Sequence, residues 1–139
     1  YSISLFRAFS SIPEVLEQAG IAIGAQKSMD FKVQKEHTTN RFKIPGMDVL
    51  STPSMLLMME LTAAQLVEDK VPIEKYGSVG YKVNISHLRP TTLGRTVTCE
   101  AKLTEIDGKK LKFDVKAMDG DTILGKGSHN RAIIPSPKM

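Results

Sequence analysis

Residues 51–68 read STPSMLLMMELTAAQLVE, and this stretch decides the architecture. Thr52 is a good N-cap, and Pro53 stands at the first helical position, where its missing N–H costs nothing. The pattern predicts a helix over 53–68, closed off by Val71 and Pro72. Its body is apolar almost all the way round, and such a helix belongs inside a protein rather than on its surface. Glu60 breaks the pattern, with Met58, Met59 and Leu61 beside it. A carboxylate in such company is expensive unless paired or hydrogen-bonded. It therefore faces either a functional cleft or a structural partner, such as an arginine or a subunit boundary.

Downstream of Gly77 the period changes to two. Tyr81, Val83 and Ile85 oppose Lys82, Asn84 and Ser86; Val97, Cys99, Ala101 and Leu103 oppose Thr98, Glu100 and Lys102; Leu111, Phe113, Val115 and Ala117 oppose Lys112, Asp114 and Lys116. Alternation of this kind marks half-buried antiparallel strands. Asp107-Gly108 and Asp119-Gly120 are tight-turn signals between consecutive strands, and a last strand is expected over about 122–134. Upstream, Ser11-Ile-Pro-Glu opens a short helix over 13–18 that stops at Gly20. Residues 29–37 read as a strand and 38–45 as a loop. The economical arrangement is an antiparallel sheet curled around one central helix, with edge strands that an identical subunit can pair.

With 139 residues the chain fits one domain of ordinary size, and its 41% hydrophobic residues suffice for a core. The net charge of +4 suits nucleic acid or the phosphates of a nucleotide-like group equally. The basic residues are scattered without a recognition helix, zinc finger or aromatic RNA-binding motif, so no nucleic-acid partner is expected. No apolar run is long enough to span a membrane, and no membrane partner is expected. One cysteine, Cys99, and three histidines without ligand spacing argue against a disulfide framework and a metal centre. The opening YSISLFRAFSS has one Arg, four Ser and no acid, and reads either as a transit-sequence remnant or as a Ser-rich tail. The expected compartment is cytoplasmic, or the mitochondrial matrix in the transit case.

Three more residues carry possible chemistry. Thr52 at the helix start is either a plain cap or a hydroxyl that needs a base nearby to become reactive. His87 ends an alternating strand and becomes an acid–base element if it meets a carboxylate. Gly80 is either a strand-entry glycine or a backbone N–H that an acyl oxygen can approach closely.

The runs VLSTPSMLLMMELTAA, SVGYKVNISHLRPTTLG and GKGSHNRAII, within residues 42–134, resemble the fluoroacetyl-CoA thioesterase-like branch of the hot-dog superfamily. The resemblance implies an α+β hot-dog fold: a five-stranded antiparallel sheet wrapped around one long helix, dimerising edge to edge. The expected division of the chain is an N-terminal tail and short helix over 1–27 and a thioesterase domain over 28–139, although the tail and residues 26–40 have no counterpart in the family pattern. The resemblance also implies hydrolysis of a small acyl-CoA to free acid and coenzyme A at the dimer boundary, with coenzyme A part of the substrate and no separate cofactor. Carried over, Thr52, Glu60 and His87 match the catalytic residues, Gly80 matches the glycine that polarises the thioester carbonyl, and Arg131 matches a substrate-holding arginine. His129 matches a family histidine without an assigned role. The segment IPGMDVLS before Thr52 lacks the aromatic residue of the fluoroacetyl-specific member. In the expected mechanism Glu60 orients His87, the helix N-terminus helps Gly80 bind the oxyanion, and Thr52 either accepts the acyl group or positions water. The alternative is a non-catalytic acyl-CoA or acyl-pantetheine binding module. A hydratase reading lacks its usual helix-borne pattern here.

Overall fold

The computed structural model describes residues 12–72 and 74–136. The opening stretch read as transit-like, and the expected Ser11 helix start, lie outside the described residues. Among the described residues, two helices and seven strands follow in order: α1 Ile12–Gln18, β1 Gln26–Lys32, β2 Thr38–Thr39, β3 Val49–Leu50, α2 Thr52–Glu68, β4 Tyr76–His87, β5 Thr96–Asp107, β6 Lys110–Asp119 and β7 Thr122–Pro135. Five strands form one sheet in the order β1-β5-β6-β7-β4, every neighbour antiparallel. β2 and β3 make a separate two-stranded ribbon.

The alternating segments are strands because each puts its apolar set on one face. Val97, Cys99, Ala101 and Leu103 of β5 and Leu111, Phe113, Val115 and Ala117 of β6 are all buried. α2 lies across that face, contributing Met55, Met58, Met59, Ala63, Leu66 and Val67 to the same core. Burying each of the larger of these side chains is worth about 1.5–3 kcal/mol. Register irregularities in β4, β5 and β6 accompany the curl of the sheet around the helix. Gly108 and Gly120 hold φ of 60° and 59° in the Asp-Gly turns, where a side chain would be strained. Gly127 of β7 permits the close approach of β4: a Cβ there would overlap the Asn84 carbonyl oxygen.

Three local expectations need correction. The strand expected at 29–37 runs instead over Gln26–Lys32, and Lys35–His37 forms a 3-10 turn. Buried Val33 adds one further rung, its N–H bonding the Arg95 carbonyl and its carbonyl accepting from the Gly94 N–H, and the pairing ends there as the chain turns into the 3-10 segment. Within the expected loop 38–45, Thr38 and Thr39 pair with Leu50 and Val49. The helix is not covered all round. Leu57 and Leu61 are 53% and 45% exposed, and the edge strand β4 leaves Val79, Tyr81 and Val83 exposed beside its free edge.

Asp119, the last residue of β6, pins the loop that follows β4. It accepts from Thr91 Oγ1 at 2.7 Å and from Arg95 Nε and Nη2 at 2.9 and 2.8 Å. The Arg95 and Thr91 bonds hold its carboxyl below the usual carboxylate range. A depressed folded-state pKa adds stability that is full above the unfolded value, about 4, and is lost as pH falls through the folded one. Thermal melts of the parent and of Asp119→Asn should therefore differ at pH 7, and the gap should close on acidification below about pH 4.

Candidate active site

Ser51, not Thr52, caps α2. Its hydroxyl accepts from the Ser54 N–H at 3.2 Å and lies 2.9 Å from the Ser54 hydroxyl. The expected Thr52 cap is thus displaced by one residue, because Ser51 holds the extended backbone that a cap requires. The displacement has a chemical consequence. Thr52 enters the first turn with its hydroxyl released from capping, and Oγ1 lies 2.8 Å from Nδ1 of His87, the last residue of β4.

The other nitrogen of that ring, Nε2, is buried and has no hydrogen-bond partner among the described residues. A cavity of about 590 Å³ opens here, lined among others by Thr52, His87, Leu88, Val49, Arg41 and Arg89. The two arginines give its mouth a positive potential suited to phosphates. A larger depression, about 740 Å³, lies on the polar outer face of the sheet and includes none of the candidate residues. The helix N-terminus has fewer spare donors than expected. Pro53 has no N–H, the Ser54 N–H goes to the Ser51 hydroxyl and the Met55 N–H to the Ser51 carbonyl.

Glu60 is not at this hydroxyl–imidazole pair. Eight helical residues separate it from Thr52, about 12 Å along the axis, too far for one side chain to span. It is half-buried, makes no hydrogen bond or ion pair among the described residues, and exerts its charge on His129 and Arg131 of β7. The expected Glu60–His87 pair therefore does not form within one chain.

Those β7 residues build a second cluster beneath Gly80. Arg131, 7% exposed, donates from Nε and Nη2 to the hydroxyl and carbonyl oxygens of Ser78, each at 2.9 Å. Its Nη1 is 3.1 Å from His129 Nε2, and His129 Nδ1 is 3.0 Å from the Lys82 carbonyl. Burial pushes the His129 imidazole and the Arg131 guanidinium below their ordinary values, and the Glu60 carboxylate opposes this at both. Gly80 pairs with Arg131 across the strands, and the ladder slips between Gly80 and Lys82, a bulge at Tyr81. A Cβ on Gly80 would stand 2.7 Å from His129 Cε1, so only glycine fits over the cluster.

Thr52 and His87 thus meet as expected, whereas Glu60, Gly80 and Arg131 gather elsewhere. The extra bulge residue puts Gly80 and His87 on the same helix-facing side of β4, about 20 Å apart. The role of His129 in this cluster escaped the sequence reading. Its signal was the spacing of 129 and 131 on one face of a strand, opposite a glycine.

The profile of the family described as FlK: Fluoroacetyl-CoA-specific thioesterase matches residues 33–137. The fluoroacetyl-CoA thioesterase of Streptantibioticus cattleyicolor is 30% identical over 127 residues, spanning 86% of this chain and 90% of its own. The chain belongs to this thioesterase family. Among solved structures, the fluoroacetyl-CoA thioesterase FlK superposes with a TM-score of 0.73 at 29% identity, over 83% of this chain and 89% of its own. A mutant of FlK solved with fluoroacetate and CoA gives 0.72 at 28% identity, over 82% of this chain and 95% of its own. A hot-dog-like protein from Thermanaerovibrio acidaminovorans gives 0.75 at 26% identity, over 87% and 88%. The fold is accordingly the hot-dog fold, and the protein is an acyl-CoA thioesterase. Its one cysteine, Cys99, lies fully buried in the core. Burial pushes the Cys99 thiol up to about 12, so it carries no thiolate near neutrality.

Cap and candidate hydroxyl can be separated by measurement. Ser51→Ala should cost about 1 kcal/mol in denaturant unfolding through the lost cap. Thr52→Ala, at a position whose hydroxyl serves no backbone group, should stay within about 0.5 kcal/mol of the parent, because Ala is the better helix former.

Proposed function

We propose that this thioesterase hydrolyses a small acyl-CoA in a cleft shared by two subunits. In this reading Thr52 and His87 come from one subunit, and Glu60, Gly80 and Arg131 from the other. The carrying observation is the division of the candidate residues into two half-sites at opposite ends of β4, an edge strand with a free side. Pairing β4 with a second β4 about a two-fold axis at Asn84 sets Val83 opposite Ile85, and sets His87 opposite Gly80 once the Tyr81 bulge is counted. All four of these residues lie on the helix-facing side, so the pairing preserves both faces of the joined sheet. The same union covers the exposed Leu57, Leu61 and Val83.

Chemistry follows from the ring geometry. The Thr52 hydroxyl donates toward His87 Nδ1, which leaves the hydrogen on Nε2, buried and in need of an acceptor. Glu60 of the partner subunit supplies that acceptor, the arrangement in which a carboxylate orients a general base and stabilises its charged form. Thr52 Oγ then bonds to the acyl carbon while its proton passes to His87. The Gly80 N–H meets the oxyanion, the C–S bond breaks, and the departing thiolate takes the proton from His87. Water, activated by the same imidazole, releases the acid, so no further cofactor is called for. Arg41 and Arg89 at the cavity mouth meet the phosphates of coenzyme A.

Thr52→Ala, His87→Ala and Glu60→Ala should each lower turnover by about two to four orders of magnitude, read by thiol release from short acyl-CoAs. Mixing the inactive His87→Ala and Glu60→Ala proteins under subunit exchange should restore about one quarter of parent activity, since half the dimers are mixed and each carries one intact site. Absence of recovery, with exchange verified, would place all three residues in one subunit and end this reading.

A further inference from the structure

The imidazole of His129 is 1% exposed, and both of its nitrogens are engaged. A carbonyl oxygen can only accept, so Nδ1, 3.0 Å from the Lys82 carbonyl, must carry the hydrogen. A guanidinium can only donate, so Nε2, 3.1 Å from Arg131 Nη1, must be the bare nitrogen. The ring is therefore neutral and in one tautomer. A second proton on Nε2 would set donor against donor and a positive charge against Arg131. Burial acts in the same direction on this ring. The charged groups facing it are Arg131 from its own strand and Glu60 from α2, the former favouring the neutral ring and the latter opposing.

The partners of this ring bracket the bulge. His129 holds the Lys82 carbonyl on the C-terminal side, and Arg131, joined to His129, grips both oxygens of Ser78 on the N-terminal side. Between those anchors lie Val79, Gly80 and Tyr81, on a strand whose outer edge is free. An unheld bulge on an edge strand has several accessible backbone geometries. Two buried side chains reaching from β7 to both of its ends restrict it to one.

We propose that His129 is a positioning residue: as a neutral, Nδ1-protonated ring it completes, with Arg131, a clamp across the β4 bulge that fixes the Gly80 peptide against the thioester carbonyl. This rests on the reading of Gly80 as the oxyanion donor. It explains why position 129 carries a histidine, since few side chains of that size offer one donor and one acceptor on opposite edges.

The test combines His129→Ala and His129→Asn with amide hydrogen exchange and steady-state kinetics on the whole chain. His129→Ala should speed exchange of the Gly80–Lys82 amides and lower kcat by about 10- to 100-fold while KM moves less than about threefold, because a displaced oxyanion donor affects the transition state more than binding. His129→Asn, which keeps a donor near the Lys82 carbonyl, should recover part of that loss. Unchanged exchange would overturn the clamp, whatever happens to turnover. Faster exchange with kcat within about threefold of the parent would overturn the positioning role and show that the Gly80 reading itself had failed. ¹⁵N spectra of the parent ring provide a check that needs no variant. A protonated Nδ1 and a bare Nε2 at neutral pH are expected, and an imidazolium or the opposite tautomer would overturn the proposal.

Discussion

An apolar helix pressed against the inner face of a curled sheet is the constraint from which the remaining features follow. Met55, Met58, Met59, Leu66 and Val67 interlock with the inward rows of β5 and β6, which sets both the height and the rotation of α2 over the sheet. Those two quantities bring the first turn of α2 to the end of β4, and with it the Thr52 hydroxyl to the His87 ring. They also set Glu60, about two turns further along, over the buried pair on β7. An ion pair beyond the core reinforces the placement, with Lys27 of β1 2.6 Å from Asp69 at the helix end.

The same packing leaves a deficit on one side. β4 is an edge strand with a free row of backbone groups, and the helix stripe Leu57–Leu61 beside it stays in water. Exposed edges of this kind invite strand addition, and exposed apolar stripes mark association surfaces. Both deficits lie on the side where the two half-sites are separated. A single two-fold pairing would relieve the backbone, the apolar stripe and the unpartnered His87 Nε2 together, so stability and chemistry would draw on the same contact.

Polar burial in this protein is concentrated rather than scattered. Among the described residues, the buried polar or charged residues are Thr62, Thr91, His129 and Arg131. Thr62 returns its hydroxyl to the Met58 carbonyl within the helix, and Thr91 donates to Asp119. The other two form the continuous network under Gly80, in which all three Arg131 nitrogens and both His129 nitrogens have a partner. A desolvated guanidinium and imidazole are costly to hold, and the hydrogen bonds made by each of their nitrogens offset that cost. Their cost is concentrated at one strand irregularity.

Much of this was legible from residue order. Periods of two and near-uniform apolarity are local signals, so the four long strands, the Asp-Gly turns and the buried helix appeared without coordinates. Glu60 stood out because an acid in greasy surroundings breaks a local rule, whereas Thr52 at a helix start and His87 at a strand end are locally ordinary and gained their weight from the family resemblance. The strand limits near Lys32 and the cap at Ser51 were misjudged by a few residues, since a strand end or cap depends on backbone angles that neighbours impose.

What the chain order could not supply was distance between elements. The amino-acid sequence by itself determined which segments are apolar on which face, and hence that one helix must be wrapped by one sheet. Only the tertiary structure decided that Thr52 reaches His87 while Glu60 lies with Arg131 and His129. Helix rotation, strand register and a one-residue bulge at Tyr81 decide those meetings, and each arises from packing between segments far apart in the chain.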